Sequence, residues 1–274
     1  MFSGRETQEV SKRVVALLID GGSYELCAFE LKLGCIGVTS MNSAGDFRFS
    51  YSAADAKILL RILLGFETLL VSGYILTHII APGLPWPWRL IPRFLDVDRE
   101  VSIPTWFSSI QLFAAGVMVL LMVTNCVKQL KVFLVLLGLG LLFLSMDESA
   151  TVHDNIYSGA QRLKLRSLEG REYLVWMVPY LCIGVMGLTV AYRPVLFAWR
   201  NFRRESAWIA AGTAVFIGGG IEIEIFTHYL YGIAVDAKFF LAVAAEEFFE
   251  MAGVSIMLYG FMLLGIRIQS EIST

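Results

Sequence analysis

Six long apolar runs restrict this chain's fold more than any other feature of its sequence. They are Ile58–Ile80, Ile103–Thr124, Leu130–Asp147, Tyr173–Tyr192, Ala207–Leu230 and Phe239–Ile266. A helix of roughly 20 apolar residues crosses a hydrocarbon core, where no water satisfies the backbone. The runs therefore predict an all-α fold, a polytopic membrane helical bundle of about six transmembrane helices. Composition agrees, since 57% of the 274 residues are hydrophobic and the mean hydropathy is +0.66. A soluble domain averages roughly 45–50% apolar residues.

Punctuation supports these boundaries. Pro82, Pro85 and Pro87 end the first run, and Pro104 sits in the first turn of the second, where proline is tolerated. Trp86, Trp88, Trp106, Trp176, Trp199 and Trp208 all fall near run ends, the position of the interfacial aromatic belt. Residues 1–52 differ from the rest. Their apolar run Val14–Ile19 is too short to span a membrane and makes no clear signal peptide. They are expected to stand outside the bundle, as a cytoplasmic appendage, as disordered chain, or as residues ahead of a true start at Met41. The bundle is expected over 53–268, with 269–274 as a tail.

A net charge of −2 points to no nucleic-acid partner. Cys27, Cys35, Cys126 and Cys182 form no CxxC pair and read as lone thiols. With six spans both termini lie on one side, side A. Side A then receives 14 of the 22 basic residues and side B the other 8. Most of that bias comes from the compact loop with Arg200, Arg203 and Arg204. The positive-inside rule thus predicts cytoplasmic termini in a cell membrane, on this reading a bacterial inner membrane.

Charged side chains within spans are costly and usually functional, and here their depths agree. Asp147, Glu148, His153 and Asp154 end the third run at side B. Glu222, Glu224 and His228 fall in the side-B half of the fifth, and Glu246, Glu247 and Glu250 in the side-B half of the sixth. His78 closes the first run on the same side. Glu224/His228 and Glu246/Glu250 are i,i+4 and share helix faces. Asp147, Thr151 and Asp154 stack if their helix continues. Glu148 and His153 lie about 140° apart and converge only if it ends. Glu222 and Glu224 are about 200° apart and cannot both face one site.

So many carboxylates cannot all be ionised in a low dielectric; they share protons, pair with cations or bind metal. Carboxylate with imidazole suits zinc or iron. The expected metal ligands are Asp147, His153, Asp154, Glu222, Glu224, His228, Glu246 and Glu250, with Glu148 and Glu247 as catalytic proton carriers. The Glu-x-x-His spacing of di-iron bundles is absent. Plainer alternatives stand beside this one: a polar helix end at 147–154, water-satisfied carboxylates at Glu222 and Glu224, an interfacial His78, and a structural Glu67–Arg61 pair. Asp96, Asp98 and Glu100 resemble the start of a calcium loop, but lack its glycine, and read as a solvated acidic loop or a cation funnel.

Two stretches carry a resemblance. Phe94–Glu100 followed by Ile103-Pro104-Thr105-Trp106-Phe107-Ser108-Ser109, and Leu144–Asp154, resemble segments of a group of uncharacterised bacterial multipass proteins, the second matching their "LDEAASIHE" motif. Glu246-Glu247-x-x-Glu250-Met251-x-Gly253 also fits. The chain departs from the motif at Asp154, where that group has Glu. The resemblance implies the architecture and the polar site, and no reaction. A weaker likeness is to membrane ceramidase-like metal hydrolases, whose His-x-x-x-His pair this chain lacks. The residues therefore lead to a metal-dependent membrane enzyme acting on a lipid-like substrate from the bilayer. A proton- or cation-coupled transporter and a non-catalytic membrane subunit are the alternatives. Reporter fusions at Gly170 and at Thr274 should report opposite sides of the membrane; the same side for both would contradict this topology.

Overall fold

The computed structural model describes residues 37–38, 49–80, 88, 90–99, 101–162, 174–223 and 237–272. The chain divides into two compact units, Met1–Ser50 and Tyr51–Thr274. In the first, β1 (Gly37–Val38) pairs antiparallel with β2 (Phe49–Ser50). The second is helical: α1 (Ala53–Ile75), a π-helical turn Leu76–Ile80, α2 (Leu90–Phe94), α3 (Ile103–Asn125), α4 (Lys128–Ala150), α5 (Val152–Arg162), α6 (Leu174–Asn201), α7 (Arg203–Ile217), a second π-helical turn Gly218–Ile223, and α8 (Ala237–Ile272).

Local chemistry sets the helix starts. Ser52 and Asp55 form a capping box on α1: Asp55 N–H donates to Ser52 Oγ at 3.2 Å, and Ser52 N–H to Asp55 Oδ2 at 2.8 Å. Ser102 caps α3 through Thr105 N–H at 3.3 Å, with Pro104 in the first turn. Among the described residues, five helices are long and apolar enough to cross a membrane, so this is a multipass membrane protein. The fifth apolar run is described only as far as 223, as α7 and its π-helical turn; its remainder lies outside the described residues.

Apolar helices are told apart by what they touch. Within α8, 83% of the spanning window is buried inside the protein, against 11% for Met177–Asn201 in α6. Helix α8 is therefore the axis of the bundle: α7, α1 and α3 pack on it, α4 packs on α3, and α6 on α4. Helix α6 shows Leu181, Met186, Leu188 and Val190 on its surface, each more than half exposed. Such exposure suits lipid and would be unfavourable in water.

Association in lipid has no hydrophobic drive, so close backbone approach matters. Helices α7 and α8 meet at Gly212 and Gly253. A Cβ on Gly212 would lie 2.5 Å from Met257 N, and one on Gly253 would lie 2.5 Å from Phe216 N. Trp208 and Tyr259 continue the contact edge to face, with centroids 5.1 Å apart. Toward side A the bundle is closed by Ala56, Tyr259, Met262 and Leu263 packed with Tyr51, Leu59, Leu60 and Met118. Gly253→Val should force α7 away from α8 and cost about 1–3 kcal/mol of stability, measured as a lower melting temperature in detergent. An unchanged melting temperature would contradict the close approach.

Candidate functional site

The polar residues of the side-B half are positioned by two breaks in helical regularity. The first is at the end of α4. Thr151 adopts the left-handed conformation, φ 51° and ψ 42°, and is the one non-glycine residue with positive φ among the described residues. That conformation costs a residue such as threonine on the order of 1–3 kcal/mol, so neighbouring contacts must hold it. Thr151 N–H donates to Asp147 O at 2.7 Å, and Asn155 Nδ2 donates to Thr151 O at 2.8 Å. His153 N–H donates to Asp147 Oδ1 at 3.1 Å, and His153 Nδ1 lies 3.1 Å from Asp147 Oδ2. Tyr180 on α6 packs against Phe143 of α4, ring centroids 5.6 Å apart, and its hydroxyl lies within electrostatic reach of the same carboxylate. Asp147 is thus a buried junction between α4, α5 and α6.

Asp147, Thr151 and Asp154 do not continue one helical stack, because the helix ends at Thr151. The ending brings His153 to Asp147 rather than to Glu148. Below this corner, hydroxyls join α3 to α4. Ser145 Oγ donates to Ser109 O at 2.8 Å, and Ser109 Oγ lies 2.6 Å from Ser149 Oγ. Ser149 also lines an apolar groove of about 520 Å³ with Phe94, Val101, Ile103 and Trp106.

The second break comprises the two π-helical turns, a geometry frequent at functional positions. The turn after α1 carries His78, whose ring lies 4.5 Å from that of Tyr74 and 5.6 Å from that of Phe240, centroid to centroid. Its Nε2 is 3.8 Å from Asp96 Oδ2. The turn after α7 passes Gly220 across α8 so closely that a Cβ there would collide with Glu250 Oε1. A larger residue at 220 would make the Glu250 side chain move.

Glu247, on α8, is the electrostatic centre of this half. The charges acting on it are those of Glu250, Glu148, Glu246 and Asp98, in that order. Residues from α8, from the end of α4 and from the connection before α3 therefore share one region. The expected site residues fall in two groups: Glu148, Glu246, Glu247 and Glu250 around Glu247, and Asp147 with His153 at the α4–α5 corner. Adjacent Asp147 and Glu148 point about 100° apart on their helix, which sends one toward α6 and the other toward α8. Asp154 lies on α5 and Glu222 in the second π-helical turn, with their side chains outside the described residues; Glu100, Glu224 and His228 lie wholly outside them. Among the described residues, no group of three or more His, Cys, Asp or Glu side chains is placed to hold a metal ion.

Sequence reasoning missed Glu67. It does not pair with Arg61, which is exposed on another face of α1. Glu67 is fully buried and bonded instead to Gln111 on α3 and Ser255 on α8. The available signal was a polar residue near the middle of each of three apolar runs: Glu67, Gln111 and Ser255. For the corner, Asp147→Ala would leave His153 N–H and His153 Nδ1 without their partner, a loss of about 1–3 kcal/mol. The melting temperature in detergent should fall accordingly, and a wild-type value would refute the junction.

No curated protein and no solved structure matches the chain. One family profile does, described as "Domain of unknown function (DUF8692)", over residues 63–264. The matched stretch starts inside α1, ends inside α8 and contains Glu67, the Glu247 cluster and the Asp147 corner. The chain belongs to this DUF8692 family.

Proposed function

We propose that this protein takes up cations, protons first among them, into the carboxylate cluster around Glu247, and acts as a proton-coupled membrane protein. One observation carries the reading: negative charge from Glu250, Glu148, Glu246 and Asp98 converges on Glu247 from separate stretches of chain. Like charges in a poorly solvated place cannot all be ionised, so the group binds protons or a cation. Intramembrane carboxylates serve proton and ion pathways directly. The close packing of Ala56, Tyr259, Met262 and Leu263 favours exchange with side B. The excess of basic residues on side A favours a cytoplasmic side A. A zinc or iron site draws no support from the described residues and would depend on Glu224 and His228.

A metal-dependent enzyme acting on a lipid-like substrate is the second reading, favoured by the Asp147–His153 pair. A carboxylate that orients an imidazole is the arrangement general bases use, and the apolar groove at Ser149 would suit an acyl chain. Titration in detergent separates the two readings. At neutral pH, where an ordinary glutamate has lost its proton, the wild type should hold about one more proton than Glu247→Gln. Equal proton counts, together with stoichiometric zinc or iron by elemental analysis that is lost in Glu247→Gln, would overturn the proton reading in favour of the second.

A further inference from the structure

Glu67, Gln111 and Ser255 lie near the middle of the α1, α3 and α8 spans, away from the Glu247 cluster. Glu67 and Ser255 are 0% exposed and Gln111 4%. Gln111 Nε2 donates to Glu67 Oε1 at 2.8 Å and to Ser255 Oγ at 2.8 Å, and Ser255 Oγ donates to Glu67 Oε1 at 2.5 Å. Both donors serve one carboxylate oxygen. Glu67 Oε2 and Gln111 Oε1 are each buried without a hydrogen-bond partner. Two acceptors stranded on groups that already share a hydrogen bond are what remains when a carboxyl lacks its proton. A proton on Oε2 turns that oxygen into a donor, and Gln111 Oε1 is the acceptor that wants one. Acid and carboxamide would then exchange two hydrogen bonds, and a full negative charge would leave the membrane centre.

We propose that Glu67 is a proton-binding site at the centre of the membrane, its exchangeable proton held between its carboxyl and the Gln111 carboxamide. In the binding step hydronium gives its proton to Oε2 and becomes water; one O–H bond breaks and one forms. The groups facing the site agree with a neutral acid. Helix α3 carries no titratable side chain between 103 and 125. On α8, Glu247 lies two turns from Ser255 toward side B and Tyr259 one turn toward side A. On α1, Arg61 is exposed on another face. Tyr74, seven residues on, shares the Glu67 face about 10 Å nearer side B. Its hydroxyl is buried without a hydrogen-bond partner and feels the charges of Asp98, Asp96 and Glu247. That places the exchange route on side B. The site shares no residue with the Glu247 cluster, so it stands or falls separately.

Infrared difference spectra of the full-length protein in lipid test it. The wild type should show a protonated-carboxyl carbonyl band that disappears reversibly as pH is raised while the protein remains folded. Glu247→Gln, which removes the cluster's own protonated carboxyl, should keep such a band, and adding Glu67→Gln to it should abolish that band. Glu67→Gln should also fold with wild-type stability at acid pH, because its amide reproduces the neutral hydrogen-bond pattern. Its melting temperature should then lack the alkaline fall seen in the wild type. A band that survives in the Glu67→Gln/Glu247→Gln double variant, a band in Glu247→Gln that never ionises in the folded protein, or a Glu67→Gln chain that cannot fold would each overturn the proposal. Sodium added at constant pH should leave the band unchanged; its loss would identify a metal-cation site instead and overturn the proton assignment.

Discussion

A carboxyl group at the middle of a bilayer is the constraint from which much of this structure follows. Even on the lenient insertion scale, a charge there costs about 2.5–3.5 kcal/mol, so Glu67 needs partners from other helices. Gln111 and Ser255 provide them, and their short reach brings α1 and α3 against α8 at this depth. Around the contact α8 becomes the buried axis. Gly253 lets α7 approach from the other side, and Ser255, two residues on, points the opposite way to Glu67. Small and polar residues join buried Leu70, Leu112 and Met251 at the centre, as expected where lipid offers helices little hydrophobic reason to associate.

The two membrane halves then differ in kind. Toward side A, Ala56, Tyr259, Met262 and Leu263 form a packed cluster with Tyr51. Toward side B the helices lose regularity: π-helical turns follow α1 and α7, and α4 stops at a left-handed Thr151. Each irregularity frees backbone geometry for a polar side chain, His78 in one, Gly220 against Glu250 in another, His153 against Asp147 in the third. Strain at Thr151 is held by the same Asp147 that orients His153. Fold and polar chemistry are therefore joined at that corner.

The apolar runs made the all-helical membrane fold legible, because bilayer thickness sets helix length directly. They could not rank the helices. Runs of similar hydropathy became the buried axis α8 and the lipid-facing α6, and only packing separates those two. Depth was also legible for Glu148 and Glu247, which counting residues put in the side-B half of their spans; Asp98 read instead as part of a solvated loop. Facing was not. The Glu148–His153 convergence depended on whether a helix ended, and a left-handed threonine carries no sequence signal as strong as glycine. Glu67 was misread because a sequence pairs a buried acid with the nearest base in the chain, Arg61. Its true partners lie 44 and 188 positions away.

Stability of the Glu67–Gln111 pair, taken through a double-mutant cycle with leucine, tests this account most directly. If the buried contact organises α1 and α3 on α8, Gln111→Leu alone should be the damaging change, since it strands a carboxyl in the membrane. Removing both groups together should recover part of that loss, with a coupling of about 1 kcal/mol or more. Losses that simply add, within about 0.5 kcal/mol, would mean that the two side chains do not meet in the folded protein, and the central claim would fail.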